Sequence, residues 1–125
     1  MVGLALRFQI AQKLHACSDP HDPPAAINDR ARDIVDLLLL RELTTTDGAP
    51  TLAELRGACE AIFTARACDA NHLGRAPRTW PCVVVAHPHW ANEFARAAAS
   101  AGVDGSLDDD VATVNKWVNE IAATP

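Results

Sequence analysis

Hydrophobic positions recur at helical spacing through most of the chain. Between Gly3 and Cys17, Leu6, Ile10 and Leu14 stand four apart with Phe8 beside them, which predicts a first helix. Asp19-Pro20 and Asp22-Pro23-Pro24 break that pattern, because proline lacks an amide hydrogen and clashes with the turn before it. Asn28 to Leu43, NDRARDIVDLLLLREL, is apolar on nearly every side and predicts a central helix capped by Asn28 or Asp29. Thr44 to Pro50, with Asp47-Gly48, reads as a turn. Thr51-Leu52-Ala53-Glu54 has the form of a capping box, and Leu55, Cys59, Ile62 and Phe63 give a third helix its apolar face.

Asp69 to Pro81, rich in Asn, Gly, Pro and Arg, predicts the longest irregular stretch. Cys82 to Ala86 is a short β-branched run, expected to be extended; without a second strand it makes no stable sheet. His87-Pro88-His89-Trp90 leads into a fourth helix carrying Trp90, Phe94, Ala97, Ala98 and Ala101, and Gly102 ends it. Ser106 caps a fifth helix with Val111, Val114, Trp117, Val118 and Ile121 on one face. The expected fold is mainly α: one helical domain over residues 1–125, a small bundle of about five helices with one short extended segment.

Composition narrows the function. A chain of 125 residues supports one modest core, and 49% hydrophobic with 22% charged residues is ordinary for a folded domain. A formal charge of -5, with no basic run, argues against an autonomous nucleic-acid binder held by phosphate contacts. No apolar stretch approaches the roughly 20 residues of a membrane span, so no membrane partner is expected. Met1 to Ala16 lacks the basic and apolar regions of a secretory leader. Cys17, Cys59, Cys68 and Cys82 are widely spaced and expected to be reduced thiols, which makes the cytoplasm the default address.

The central helix carries the candidate chemistry. Asp29, Asp33 and Asp36 follow at steps of four and three, which puts three carboxylates on one helical stripe. Arg30 and Arg32 are placed to pair locally with Asp33 and Asp36, so one reading is a core helix with acids near its positive end. The sharper reading is an acidic site facing a cleft. Lys13, a lone cation on the first helix, either snorkels at the surface or binds a phosphate as a point charge while Asp33 orients it. His15, Cys17 and His21, and His87 with His89, lack the paired spacing of a structural zinc site. Gly105-Ser106 followed by Asp108-Asp109-Asp110 superficially matches the opening of a nucleotidyltransferase site, but at a helix start it reads as a cap.

Phe8 to Ala16, FQIAQKLHA, followed by Asn28 to Leu37, NDRARDIVDL, resembles the AbiEii/AbiGii nucleotidyltransferase toxin family, in which a QIAQKLHA-like helix precedes an R-D-x-x-D-L helix. Trp80-Pro81, Trp90 and the closing Val111 to Ile121 helix also look like the carboxyl-terminal half of actinobacterial members, so the resemblance covers nearly the whole chain. It implies the helical half of a DNA polymerase β-like nucleotidyltransferase, the toxin of a type IV-class toxin–antitoxin or abortive-infection system. Some members use Mg²⁺ and transfer nucleotides from an NTP to tRNA. Carried onto the matching positions, it implies Lys13 and Asp33 as catalytic residues, with Lys13 and Asp36 in cofactor binding.

The family's Gly-Ser motif and strand-borne Asp-x-Asp have no counterpart in this sequence. Those aspartates are the principal metal ligands, so the expectation is that this chain alone does not bind Mg²⁺ and NTP stably and does not catalyse transfer. A different class of function is a non-catalytic helical module that binds an antitoxin or a complementing amino-terminal polypeptide through exposed apolar surface.

Overall fold

The structure, a computed structural model, describes residues 2–125, with side chains from residue 6 onward. Five α-helices are described: α1 (Val2–Cys17), α2 (Ala31–Asp47), α3 (Leu52–His72), α4 (Ala91–Ala101) and α5 (Leu107–Ala122). A single 3-10 turn, Pro88–Trp90, leads into α4. Among the described residues there is no strand, only an isolated bridge between Asp22 and Ala26. The mainly helical bundle is as expected; Cys82 to Ala86, expected to be extended, is neither helix nor strand.

α2 runs through the middle. It packs on α1, α4 and α5, while α3 lies across α1 and touches α5. Its centrality follows from its apolar surround: Ala31, Ile34, Val35 and Leu37 are buried, and Leu38 and Leu40 pack against the same core. α1 contributes Ile10, Ala11, Leu14 and Cys17, and α5 contributes Val111, Val114, Trp117, Val118 and Ile121. On α3 only the first half is buried, through Leu55, Ala58, Cys59 and Phe63; the rest projects beyond the core.

Helix ends follow local chemistry. The predicted capping box forms: Thr51 Oγ1 accepts from the Glu54 N–H at 3.1 Å and Glu54 Oε1 from the Thr51 N–H at 3.0 Å. Ser106 Oγ accepts from the Asp109 N–H at 3.1 Å, which makes this acidic start a cap. Gly105 there has φ +111°, and an added Cβ would lie 2.8 Å from Asp110 Oδ1, so both backbone and space require glycine. Two boundaries differ from expectation. α2 continues through Thr44 to Asp47, stopping at left-handed Gly48, and α3 continues to His72. In the first case the Thr44 and Thr45 hydroxyls bond back to the Arg41 carbonyl, so these residues extend the helix instead of turning it.

The cap of α2 also differs. Arg30 occupies the cap position without a side-chain cap bond, and Asp29 lies outside the helix. Asn28 serves the helix from two residues earlier, its Oδ1 accepting from the Arg30 N–H at 3.1 Å. The residue is 1% exposed and every polar group on it is used. Its Nδ2 donates to the carbonyls of Cys17 (3.1 Å) and Asp19 (2.6 Å), and its N–H donates to His21 Nδ1 (3.0 Å). Its carbonyl accepts from Trp90 Nε1 (2.8 Å) and His89 Nε2 (2.7 Å). One residue thus ties the end of α1, the loop after it, the start of α2 and the entry to α4.

The extended segment is held by a substitute for a strand. Val84 N–H donates to Asn115 Oδ1 at 2.8 Å, and Asn115 Nδ2 donates to the Val84 carbonyl at 2.9 Å. A side-chain amide on α5 satisfies both backbone groups that a sheet would have satisfied.

Replacing Asn28 by alanine leaves the Cys17 and Asp19 carbonyls and the Arg30 N–H without partners in a buried place. Asn28→Ala is expected to lower unfolding free energy by about 2–4 kcal/mol, and Asn28→Asp by no less, since a carboxylate faces two carbonyls. Urea unfolding checks this; a loss under about 0.5 kcal/mol for both variants removes Asn28 from its central place.

Candidate functional site: the Lys13 groove and the arginine cleft

α1 and α2 cross so that Lys13 faces the start of α2. Its Nζ lies 3.0 Å from Asp36 Oδ2 and 3.6 Å from Asp33 Oδ1. The two carboxylates one turn apart on α2 share a single ammonium from across the helix pair. The local pairs that the sequence made available, Arg30 with Asp33 and Arg32 with Asp36, are not among the ion pairs of the described residues. Asp29 does not join the stripe. It is exposed and lies 3.4 Å from His89 Nε2.

Burial sets the electrostatics of this trio. Asp33 is 9% exposed, and its carboxyl is raised above the ordinary range by burial; Lys13 and Arg30 oppose that shift and Asp36 adds to it. Burial alone would depress Lys13, but the bond to Asp36 and the charge of Asp33 together hold it above the usual lysine value. With all three ionised the trio carries one net negative charge. The ammonium stands between the two carboxylates, the place a shared divalent cation would take. Among the described residues no group of three acidic, histidine or cysteine side chains is arranged to hold a metal ion. Asp33 and Asp36 are thus engaged by Lys13 in this structure.

On the other flank of α1 a second feature appears, which the sequence reading missed. A cleft of about 800 Å³ opens between the second half of α1, the loop before α2, the projecting end of α3 and the segment after it. Arg30, Arg66, Arg75 and Arg78 line it, against Asp19 and Asp69. Arg78 is its fixed member. One Nη donates to the His15 carbonyl at 2.6 Å and to Ser18 Oγ at 3.1 Å, at the negative end of α1. The other pairs with Asp19 and stands 2.9 and 2.7 Å from the two ring nitrogens of His15. The His15 ring meets Phe63 edge-on at 4.9 Å. Burial first, then Arg78 and Arg66, lower the His15 pKa to about 4, with Asp19 opposing.

Three of the other four histidines gather around Asn28. His21 stacks on His89 with centroids 4.0 Å apart, and His87 lies 5.4 and 5.6 Å from the two. Their contacts are structural: His21 and His89 serve the Asn28 backbone. All four cysteines are free thiols, with Cys17, Cys59 and Cys82 buried. Burial pushes the Cys59 thiol up to about 12, and raises Cys17 and Cys82 too, the reverse of what a nucleophile needs.

Two variants test these electrostatics. Lys13→Met leaves two facing carboxylates without their cation, so it is expected to cost about 1–2 kcal/mol near neutral pH. Without the ammonium the Asp33 pKa rises further. A raised carboxyl favours the fold below its unfolded pKa and that contribution is lost as pH rises through the folded one, so the deficit shrinks on acidification. Urea midpoints of both proteins across the acid range check this; a deficit that grows toward low pH contradicts it.

His15 runs the other way. Its folded pKa is depressed, so the unfolded chain binds the extra proton first, and stability falls as pH drops from 6.5 to about 4 and levels below that. His15→Gln is expected to flatten the profile in that interval; an unchanged slope contradicts the assignment.

No protein-family model matches the chain and no curated protein matches it. Among the described residues no helix is long and apolar enough to cross a membrane.

Proposed function

We propose that this chain is the helical half of a nucleotidyltransferase of the AbiEii/AbiGii kind, and that it does not transfer nucleotides by itself. The observation that carries the reading is the meeting of Lys13, from the first motif, with Asp33 and Asp36, from the second. Nothing local in the sequence demands that meeting: 23 residues and a proline-broken loop separate Lys13 from Asp36.

The roles follow from charge. Nucleotidyl transfer builds negative charge on phosphate oxygens, and a fixed ammonium stabilises it. Asp33, the more buried acid, orients Lys13; Asp36, with a side chain 36% exposed, is the partner a phosphate would displace. The net negative trio repels a triphosphate unless a cation bridges them, and Lys13 already engages both acids. Catalysis then depends on carboxylates from another polypeptide or segment, with tRNA as the acceptor in the reading.

Incubation of the protein with tRNA, Mg²⁺ and each labelled NTP is expected to give no labelled RNA. Robust labelling that Asp33→Ala abolishes would overturn inactivity while supporting the site. Labelling in a mixture with an amino-terminal half of a family member, undiminished by Lys13→Ala, would overturn the role of the lysine.

A second reading, a non-catalytic module for an antitoxin or a complementing polypeptide, is favoured by one observation. Leu39 and Leu43, four apart on α2, are 41% and 44% exposed, and Val83 and Val85 are 72% and 55% exposed on the extended segment. Sedimentation discriminates: concentration-dependent self-association supports uncovered interface, and a clean monomer at high concentration counts against it.

A further inference from the structure

Four of the 11 lysines and arginines of a chain with net charge -5 line one cleft. That is the reverse of the overall balance. Arg78 and Asp19 are engaged with each other and with the end of α1. Arg30, Arg66 and Arg75 are in no ion pair of the described residues, which leaves three guanidiniums facing the single carboxylate of Asp69. The depressed His15 pKa, caused in part by Arg78 and Arg66, reports the same positive potential from inside the wall. At the mouth stand Ile27 and Leu73, 61% and 67% exposed, the largest apolar side chains of the lining.

We propose that this cleft is a binding site for a small phosphomonoester dianion carried on an apolar body, separate from the Lys13 groove. The volume of about 800 Å³ lies within the usual range for small-molecule sites. Three planar guanidiniums, each with a fork of N–H donors, match the three oxygens of a terminal phosphate; a monocarboxylate has two oxygens and half the charge. Ile27 and Leu73 would cover the apolar body, which gives their exposure a purpose. The site is assembled from four segments, so it exists only in the folded chain.

Phenyl phosphate and inorganic phosphate, titrated calorimetrically at constant ionic strength, are the probes. Saturable binding is expected for both, tighter for phenyl phosphate. The double variant Arg66→Gln/Arg75→Gln is expected to weaken phenyl phosphate at least about tenfold. Both side chains are exposed, so its urea midpoint should stay near wild type. Arg96→Gln/Lys116→Gln removes the same charge from α4 and α5 and is expected to change binding less than about twofold. No saturable binding up to about 10 mM, or equal weakening by both double variants, overturns the proposal. Weakening by Lys13→Met with the arginine variant unaffected also overturns it, because the anion would then sit in the lysine groove. Loss of the Lys13 reading, conversely, leaves binding in the arginine cleft untouched.

Discussion

The buried amide of Asn28 is the constraint on which the arrangement depends. The loop from Ser18 to Arg30 holds Pro20, Pro23 and Pro24 and makes one internal bridge, so its backbone cannot satisfy itself through regular structure. Six hydrogen bonds to Asn28 do that work, and they reach three helices at once. In the dry interior each bond is strong and each missing partner costly, so the loop has one low-energy path. That path sets where α2 begins, and with it which α2 residues face α1. Asp33 and Asp36 meet Lys13 because Asn28 fixes the start of the helix that carries them.

Two flanks of α1 then acquire opposite character. Toward α2, one ammonium faces two carboxylates and the local charge is negative. Toward the end of α3, four arginines face two carboxylates and it is positive. Arg78 keeps the second flank in shape. By bonding the His15 carbonyl and pairing with Asp19, it ties an irregular stretch to the last turn of α1, where a cation is favoured by the helix dipole. The neutral state of His15 is a by-product: half-buried between an aromatic ring and a guanidinium, it has no use for a proton.

How much of this was legible in the sequence depended on range. Spacing of Ile10 and Leu14, of Leu55 and Cys59, and of Val111 to Ile121 gave the helices and their buried faces, because helical periodicity is a local signal. The Thr51 and Ser106 caps were legible for the same reason. Asp29 as a member of the acidic stripe was not, because the helix starts two residues later, where Asn28 rather than a cap at Asp29 supplies the acceptor. The pairing of Lys13 with Asp33 was one of two readings of the residues and was singled out by the resemblance, since no spacing rule links residues across a proline-broken loop. The arginine cleft had one faint signal, Arg75 and Arg78 in a stretch read as irregular. Arg30 and Arg66 join them only after α2 and α3 are placed, and a cleft built from four segments leaves no pattern in any one of them.

The Lys13 groove is held together by the charges of its own residues. A buried carboxylate with no cation would be neutral or would destabilise the fold, and a lysine with no anion would turn to solvent. Here each answers the other: Lys13 and Arg30 counter part of the desolvation of Asp33, and two acids outweigh that of Lys13. The groove is therefore stable without substrate, metal or partner, and its geometry does not require that they ever arrive. Structural ion networks perturb such groups in the same directions, and the trio by itself accounts for both shifts. Arg30, at the cap of α2, and Arg32, in its first turn, lie three and four residues ahead of Asp33 and Asp36, yet the ion pairs of both acids run across to Lys13 on α1.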